Sequence, residues 1–126
     1  MAKAKKLQAF PKPHQNNPFI TNSQRRIAVS LPSAQKVVSF LLEKSGSNEM
    51  QVHFVGKKKI ASLHVEFFND PSPTDCITFP YDEGDFLGEV FVCPQVAEEY
   101  TQRFGGSLQE EITLYILSCL KQYGNP

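Results

Sequence analysis

Two short apolar runs carry acids and hydroxyls at positions where chemistry could be built. Pro73-Thr74-Asp75 leads into Cys76–Phe79, and Leu87-Gly88-Glu89 opens the run that ends at Cys93. Between them stand Asp82, Glu83 and Asp85. Carboxylates hold Mg²⁺ or a pair of metals when they converge from different elements. Asp82, Glu83 and Asp85 share one loop, the usual place for solvated charge, and only Glu89 comes from another element. Thr74 and Asp75 have two readings that their residue types leave open. They can tighten the turn through bonds to nearby backbone, or they can orient a ligand or an RNA group.

Other candidates are thinner. Lys57-Lys58-Lys59 opens a helical pattern, where the macrodipole disfavours cations. Such a breach of local preference fits either phosphate contact or plain solvation. His14, His53 and His64 fall in a tail, a strand and a helix, and no His or Cys stands one helical turn from His64. Cys76, Cys93 and Cys119 are odd in number and form no CxxC pair, so they read as buried reduced thiols. A Gly-rich phosphate loop, a GxSxG elbow and a Cys–His pair are all missing from the sequence.

The elements that position these groups follow from periodicity and punctuation. Residues 1–24, with Pro11, Pro13 and Pro18, read as a flexible basic extension, and 25–126 as one domain. Alternation in Arg25–Leu31 predicts a first strand. Pro32-Ser33 predicts a helix start with Ser33 as cap, and Gly46 its end. Met50–Val55 alternates as a strand, Lys57–Asn69 has helical spacing, and Asn69–Pro73 is a turn. Cys76–Phe79 and Leu87–Cys93 are strands on either side of an exposed acidic turn at Tyr81–Asp85. Pro94 starts a helix that Gly105-Gly106 closes, and Ser107-Leu108-Gln109-Glu110 is a capping box for a last helix reaching Gly124. The order β-α-β-α-β-β-α-α predicts an α+β fold, a mixed sheet of about four strands with helices packed on it.

As a set these segments resemble the central signature of the YbeY family of bacterial rRNA maturation factors. There a Pro-Thr-Asp-Val-Leu-Ser-Phe-Pro-like segment precedes a Leu-Gly-Asp-Ile-like strand, followed by a helix with His-x3-His-x5-His. The match runs through Pro73-Thr74-Asp75, Phe79-Pro80, Leu87-Gly88, Pro94, Gly105, Ser107-Leu108 and Glu111. Glu89 stands for the family's aspartate and keeps its charge. The resemblance implies a metalloprotease-like catalytic fold and zinc-dependent hydrolysis of single-stranded RNA, with rRNA or the small ribosomal subunit as partner. It places the first two zinc ligands at Ser118 and Gln122, and the third two residues past Pro126. Agreement stops after Leu117, so the domain is expected to be truncated at its C-terminal end, to lack zinc and to have no identifiable catalytic residue. Thr74, Asp75, Glu89 and Lys57–Lys59 remain as an RNA-contacting or structural motif.

Charge and composition set the remaining bounds. The 126 residues carry no net charge, but residues 1–26 hold six bases and no acid, and the rest hold seven bases and thirteen acids. A basic arm on an acidic body could touch RNA phosphates or simply stay solvated. The chain has no apolar run long enough for a membrane span, and a cytoplasmic protein is expected. Two functions stay open: an rRNA-processing endoribonuclease, or a non-catalytic RNA- or ribosome-binding module.

Overall fold

The computed structural model describes residues 2–3, 19–83 and 85–124, with the side chains of 2–3, 82–83 and 119–124 excepted. The elements are β1 (Ala2–Lys3), β2 (Ile20–Asn22), α1 (Leu31–Ser45), β3 (Glu49–Phe54), α2 (Lys57–Phe68), β4 (Cys76–Glu83), β5 (Phe86–Val92), α3 (Pro94–Phe104) and α4 (Leu108–Gly124). The strands form one mixed sheet in the order β1-β4-β5-β3-β2. β2, β3 and β5 run parallel, β4 runs antiparallel to β5, and the two residues of β1 pair parallel to β4. The expected α+β architecture is therefore present, with β1 as an additional edge piece.

Side-chain alternation divides the core between the two faces of the sheet. Met50, Val52 and Phe54 of β3, with Cys76, Val90 and Val92, meet Val38 and Leu41 of α1, Ala97 of α3, and Ile112 and Ile116 of α4. Ile77, Phe79 and Phe91 point to the opposite face, where Ile60 and Leu63 of α2 cover them. Every residue of β5 is buried, because this central strand is covered on both sides. Burying one such Phe, Leu or Ile contributes about 1.5–3 kcal/mol.

Several boundaries differ from expectation, each for a local reason. The strand before α1 is not Arg25–Leu31 but β2, where buried Ile20 pairs with Val52. The segment after β2 is held instead by buried Gln24, whose amide group donates to the Ile27 carbonyl at 2.9 Å and accepts from the Ile27 amide at 3.0 Å. That side chain takes the place of a strand neighbour. Ser30, not Ser33, caps α1: its hydroxyl accepts from the Ser33 amide at 3.2 Å, while Pro32 sits in the first turn. β4 runs on through Tyr81, which is buried rather than part of an exposed turn. Of the expected extension, residues 4–18 lie outside the described residues, whereas Ile20–Asn22 belong to the sheet. Gly46 at φ +73° and Asn69 at φ +57° end α1 and α2 in the left-handed conformation that closes helices.

Candidate functional site

Glu111, Tyr115 and Ser118 follow at i, i+4 and i+7 and so form one stripe of α4. Opposite it lies the start of β4. There the Asp75 carbonyl accepts from the Cys93 amide at 2.8 Å, and the Thr74 hydroxyl reaches the Asp75 carboxylate at 3.3 Å. Ser118 is 2% exposed; its hydroxyl donates to the Tyr115 carbonyl at 2.5 Å and lies 3.4 Å from the Thr78 hydroxyl. Thr78 in turn lies 3.9 Å from the Cys76 sulfur. The Tyr115 hydroxyl is buried without a partner in good hydrogen-bond geometry. Burial, then the neighbouring Asp75 and Glu111 carboxylates, pushes its ionisation well above the ordinary phenol range.

Glu89 belongs to the other face. It pairs in register with Phe79 and is 7% exposed, and its carboxylate meets His53 Nε2 at 2.7 Å. A carboxylate only accepts, so Nε2 carries the proton, and in the neutral ring Nδ1 accepts from the Thr21 hydroxyl at 2.7 Å. The imidazole stacks on Phe91 with centroids 4.6 Å apart. Three strands thus contribute one polar chain across the sheet. Sequence reading missed it, because His53 and Glu89 come together only through the parallel pairing of β3 and β5, in which Gln51 faces Glu89 and His53 faces Phe91.

The remaining candidates scatter. Lys57 binds Glu99 of α3 at 2.6 Å, while Lys58 and Lys59 are exposed. His64 contacts the Ser72 carbonyl at 2.7 Å and packs on Phe68, which makes it a brace for the turn after α2. In that turn the Ser72 hydroxyl and amide hold the Asp70 carboxyl below the usual carboxylate value. Asp85 is exposed, the side chains of Asp82 and Glu83 lie outside the described residues, and Glu89 points to His53. Cys76 and Cys93 are buried and in no disulfide, and burial raises the pKa of Cys93, so it is no ready thiolate. The side chain of Cys119 and the whole of His14 lie outside the described residues.

Comparison with known proteins now decides the family. Residues 19–120 match the family model described as Endoribonuclease YbeY. The chain belongs to the YbeY family. A relative from Protochlamydia amoebophila, named Endoribonuclease YbeY, is 38% identical over 107 residues, covering 79% of this chain and 71% of that protein. The Endoribonuclease YbeY of Chlamydia trachomatis serovar D is 39% identical over 114 residues, covering 81% and 69%. The solution structure of TM1509 from Thermotoga maritima superposes with a TM-score of 0.56 at 25% identity, covering 80% of this chain and 67% of that one.

For a YbeY protein, the resemblance implies zinc at the stripe of α4 that faces β4. That resemblance places its first ligand at Ser118, whose environment is unsuited to a metal. A neutral hydroxyl is a poor zinc donor, and this one is spent on the Tyr115 carbonyl and turned to Thr78 within the packed interior. The Gln122 side chain lies outside the described residues. Among the described residues no group of three or more His, Cys, Asp or Glu side chains could hold a metal ion. At Ser118, where the resemblance places a ligand, the residue present does not fit the family's zinc.

Proposed function

We propose that this chain is a YbeY-type rRNA maturation factor that acts by holding single-stranded rRNA, in the cytoplasm and at the small ribosomal subunit, without the family's zinc-dependent cleavage. The match of residues 19–120 to the Endoribonuclease YbeY family supports the RNA substrate. The observation that carries the non-catalytic part is Ser118, buried and hydrogen-bonded where the resemblance requires a zinc ligand. Exposed Lys58 and Lys59 supply cations for phosphate contact, whereas Thr74, Asp75 and Glu89 act as structural members of the domain. No helix among the described residues is long and apolar enough to cross a membrane.

The test uses purified protein and a labelled single-stranded rRNA fragment. Binding that weakens steeply with added salt is expected, because phosphate contacts release counterions. One equivalent of zinc should produce no cleavage above a chelator-treated control. Zinc-dependent strand scission would overturn the non-catalytic reading. Absence of binding at low salt would overturn the RNA reading itself.

A further inference from the structure

Asp75 and Glu111 come together at the seam where α4 packs on β4. Ser118 meets Thr78 across that seam at 3.4 Å. From Ser118 back to Glu111 is two turns of helix, about 10.5 Å of rise. From Thr78 back to Asp75 is a stretch of extended chain of about 10 Å. The two spans match, and Tyr115, one turn from Glu111 on the same stripe, has both carboxylates as neighbours. Tyr115 is 4% exposed, and its hydroxyl is buried without a hydrogen-bond partner. Asp75 and Glu111 are themselves half-buried, so they form the outer rim over that hydroxyl. The Thr74 hydroxyl reaches Asp75 at 3.3 Å, and among the described residues Glu111 enters no ion pair. One phenol proton cannot balance two carboxylates.

We propose that Asp75 and Glu111 form a binding site for one Mg²⁺ ion, held between the start of β4 and the first turns of α4, with the Tyr115 hydroxyl as its floor. Mg²⁺ keeps several waters and takes only one or two carboxylates from a protein, leaving positions open to water or phosphate. It therefore needs no larger cage, and among the described residues there is no group of three or more such ligands. An ion that draws the two carboxylates together sets an acceptor oxygen against the Tyr115 hydroxyl and supplies the hydrogen bond it lacks. The donors are all oxygens, the set that suits a hard cation rather than zinc. They also stand apart from Ser118 and Gln122, where the resemblance places zinc. Asp75 then serves as a ligand beside its structural part in the turn.

Tb³⁺ is a hard cation that emits when a nearby tyrosine passes it energy, and the chain has four tyrosines and no tryptophan. Purified protein with Tb³⁺, excited through tyrosine, should show sensitised emission that excess Mg²⁺ removes and NaCl of equal ionic strength does not. Tyr115→Phe should lose most of that emission yet keep most of the Mg²⁺ affinity read by calorimetry, because both carboxylates remain. Glu111→Gln should weaken Mg²⁺ binding about tenfold or more, since a full charge leaves contact with the ion. Asp75→Asn should do the same, and the Glu111 variant alone keeps the test decisive if the Asp75 variant fails to fold. Emission that survives Tyr115→Phe puts the ion elsewhere and overturns the site. Emission lost to NaCl as readily as to Mg²⁺, no emission at all, or unchanged Mg²⁺ affinity in Glu111→Gln overturns it too.

Discussion

On the face of the sheet packed by α1 and α4, Thr78 and Ser118 meet as neutral hydroxyls. On the face packed by α2, Glu89 is a carboxylate held by His53. The two sites lie close in sequence along the same pair of strands, yet they bury polarity at very different cost. A hydroxyl finds its partners within one turn of helix, and losing it costs about 1 kcal/mol. A carboxylate with 9% of its side chain exposed needs a cationic or donor partner at close range, and orphaning it costs about 3–5 kcal/mol. Incomplete cover permits the charge: His53 keeps 19% of its side chain exposed, so water still reaches the pair from one side.

The largest effect is therefore expected at His53. His53→Ala should lower unfolding free energy by about 3 kcal/mol, read from urea denaturation at neutral pH. The loss combines an unpaired Glu89 with the freed Thr21 hydroxyl and the lost stack on Phe91. Replacing both partners, as His53→Leu/Glu89→Leu, should recover most of that loss, since an apolar pair of similar volume needs no counter-charge. A single variant within about 0.5 kcal/mol of wild type would show that the pair is no more than a surface contact.

Ser118 tests the opposite face, at the position where the resemblance places a metal ligand. Ser118→His forces a larger ring into a site that is 2% exposed, and overpacking should cost about 1–3 kcal/mol. One equivalent of zinc should leave the melting temperature of wild type and of this variant unchanged. A ligand bound only by the folded state raises stability with concentration. A zinc-dependent rise in wild type would therefore sink the assignment of Ser118 to packing alone.

What could be read from the sequence follows the range of the interactions. The helices were legible because caps and apolar spacing act within one or two turns: Gly46 after α1, Pro94 before α3, and Ser107, whose hydroxyl accepts from the Glu110 amide at 3.1 Å. β2 was not, since only Ile20 of its three residues is buried and its partner Val52 is distant in sequence. β4 looked finished at Pro80, because proline removes a ladder donor. Pro80 lies beyond the stretch that β1 pairs among the described residues, so its missing N–H breaks no described ladder bond on that side, and the strand continues. Of the candidate site, Thr74, Asp75 and the position of Ser118 on its helix were visible. The Thr21–His53–Glu89 chain was not, because it exists only once three strands are in register. Asp75 and Glu89, adjacent in the family signature, turned out to serve opposite sides of the sheet.

The smallest effect is expected at Tyr115 and should show only at high pH. Its hydroxyl is buried beside Asp75 and Glu111, and its folded-state pKa is raised above the ordinary value of 10.0. Below pH 10 the phenol is neutral in both folded and unfolded chains, so Tyr115→Phe should change stability by no more than about 1 kcal/mol. Above it the unfolded chain loses the proton while the folded chain keeps it. Fewer protons are then bound in the unfolded state, and stability falls as pH rises. Tyr115→Phe removes that group, so its stability should decline less steeply than wild type between about pH 10 and 11.5. Parallel profiles would mean that the Tyr115 hydroxyl ionises as it does in water, and that the seam between α4 and β4 is open to solvent. The same result would undercut the contrast between a sealed hydroxyl face and a partly wet charged one.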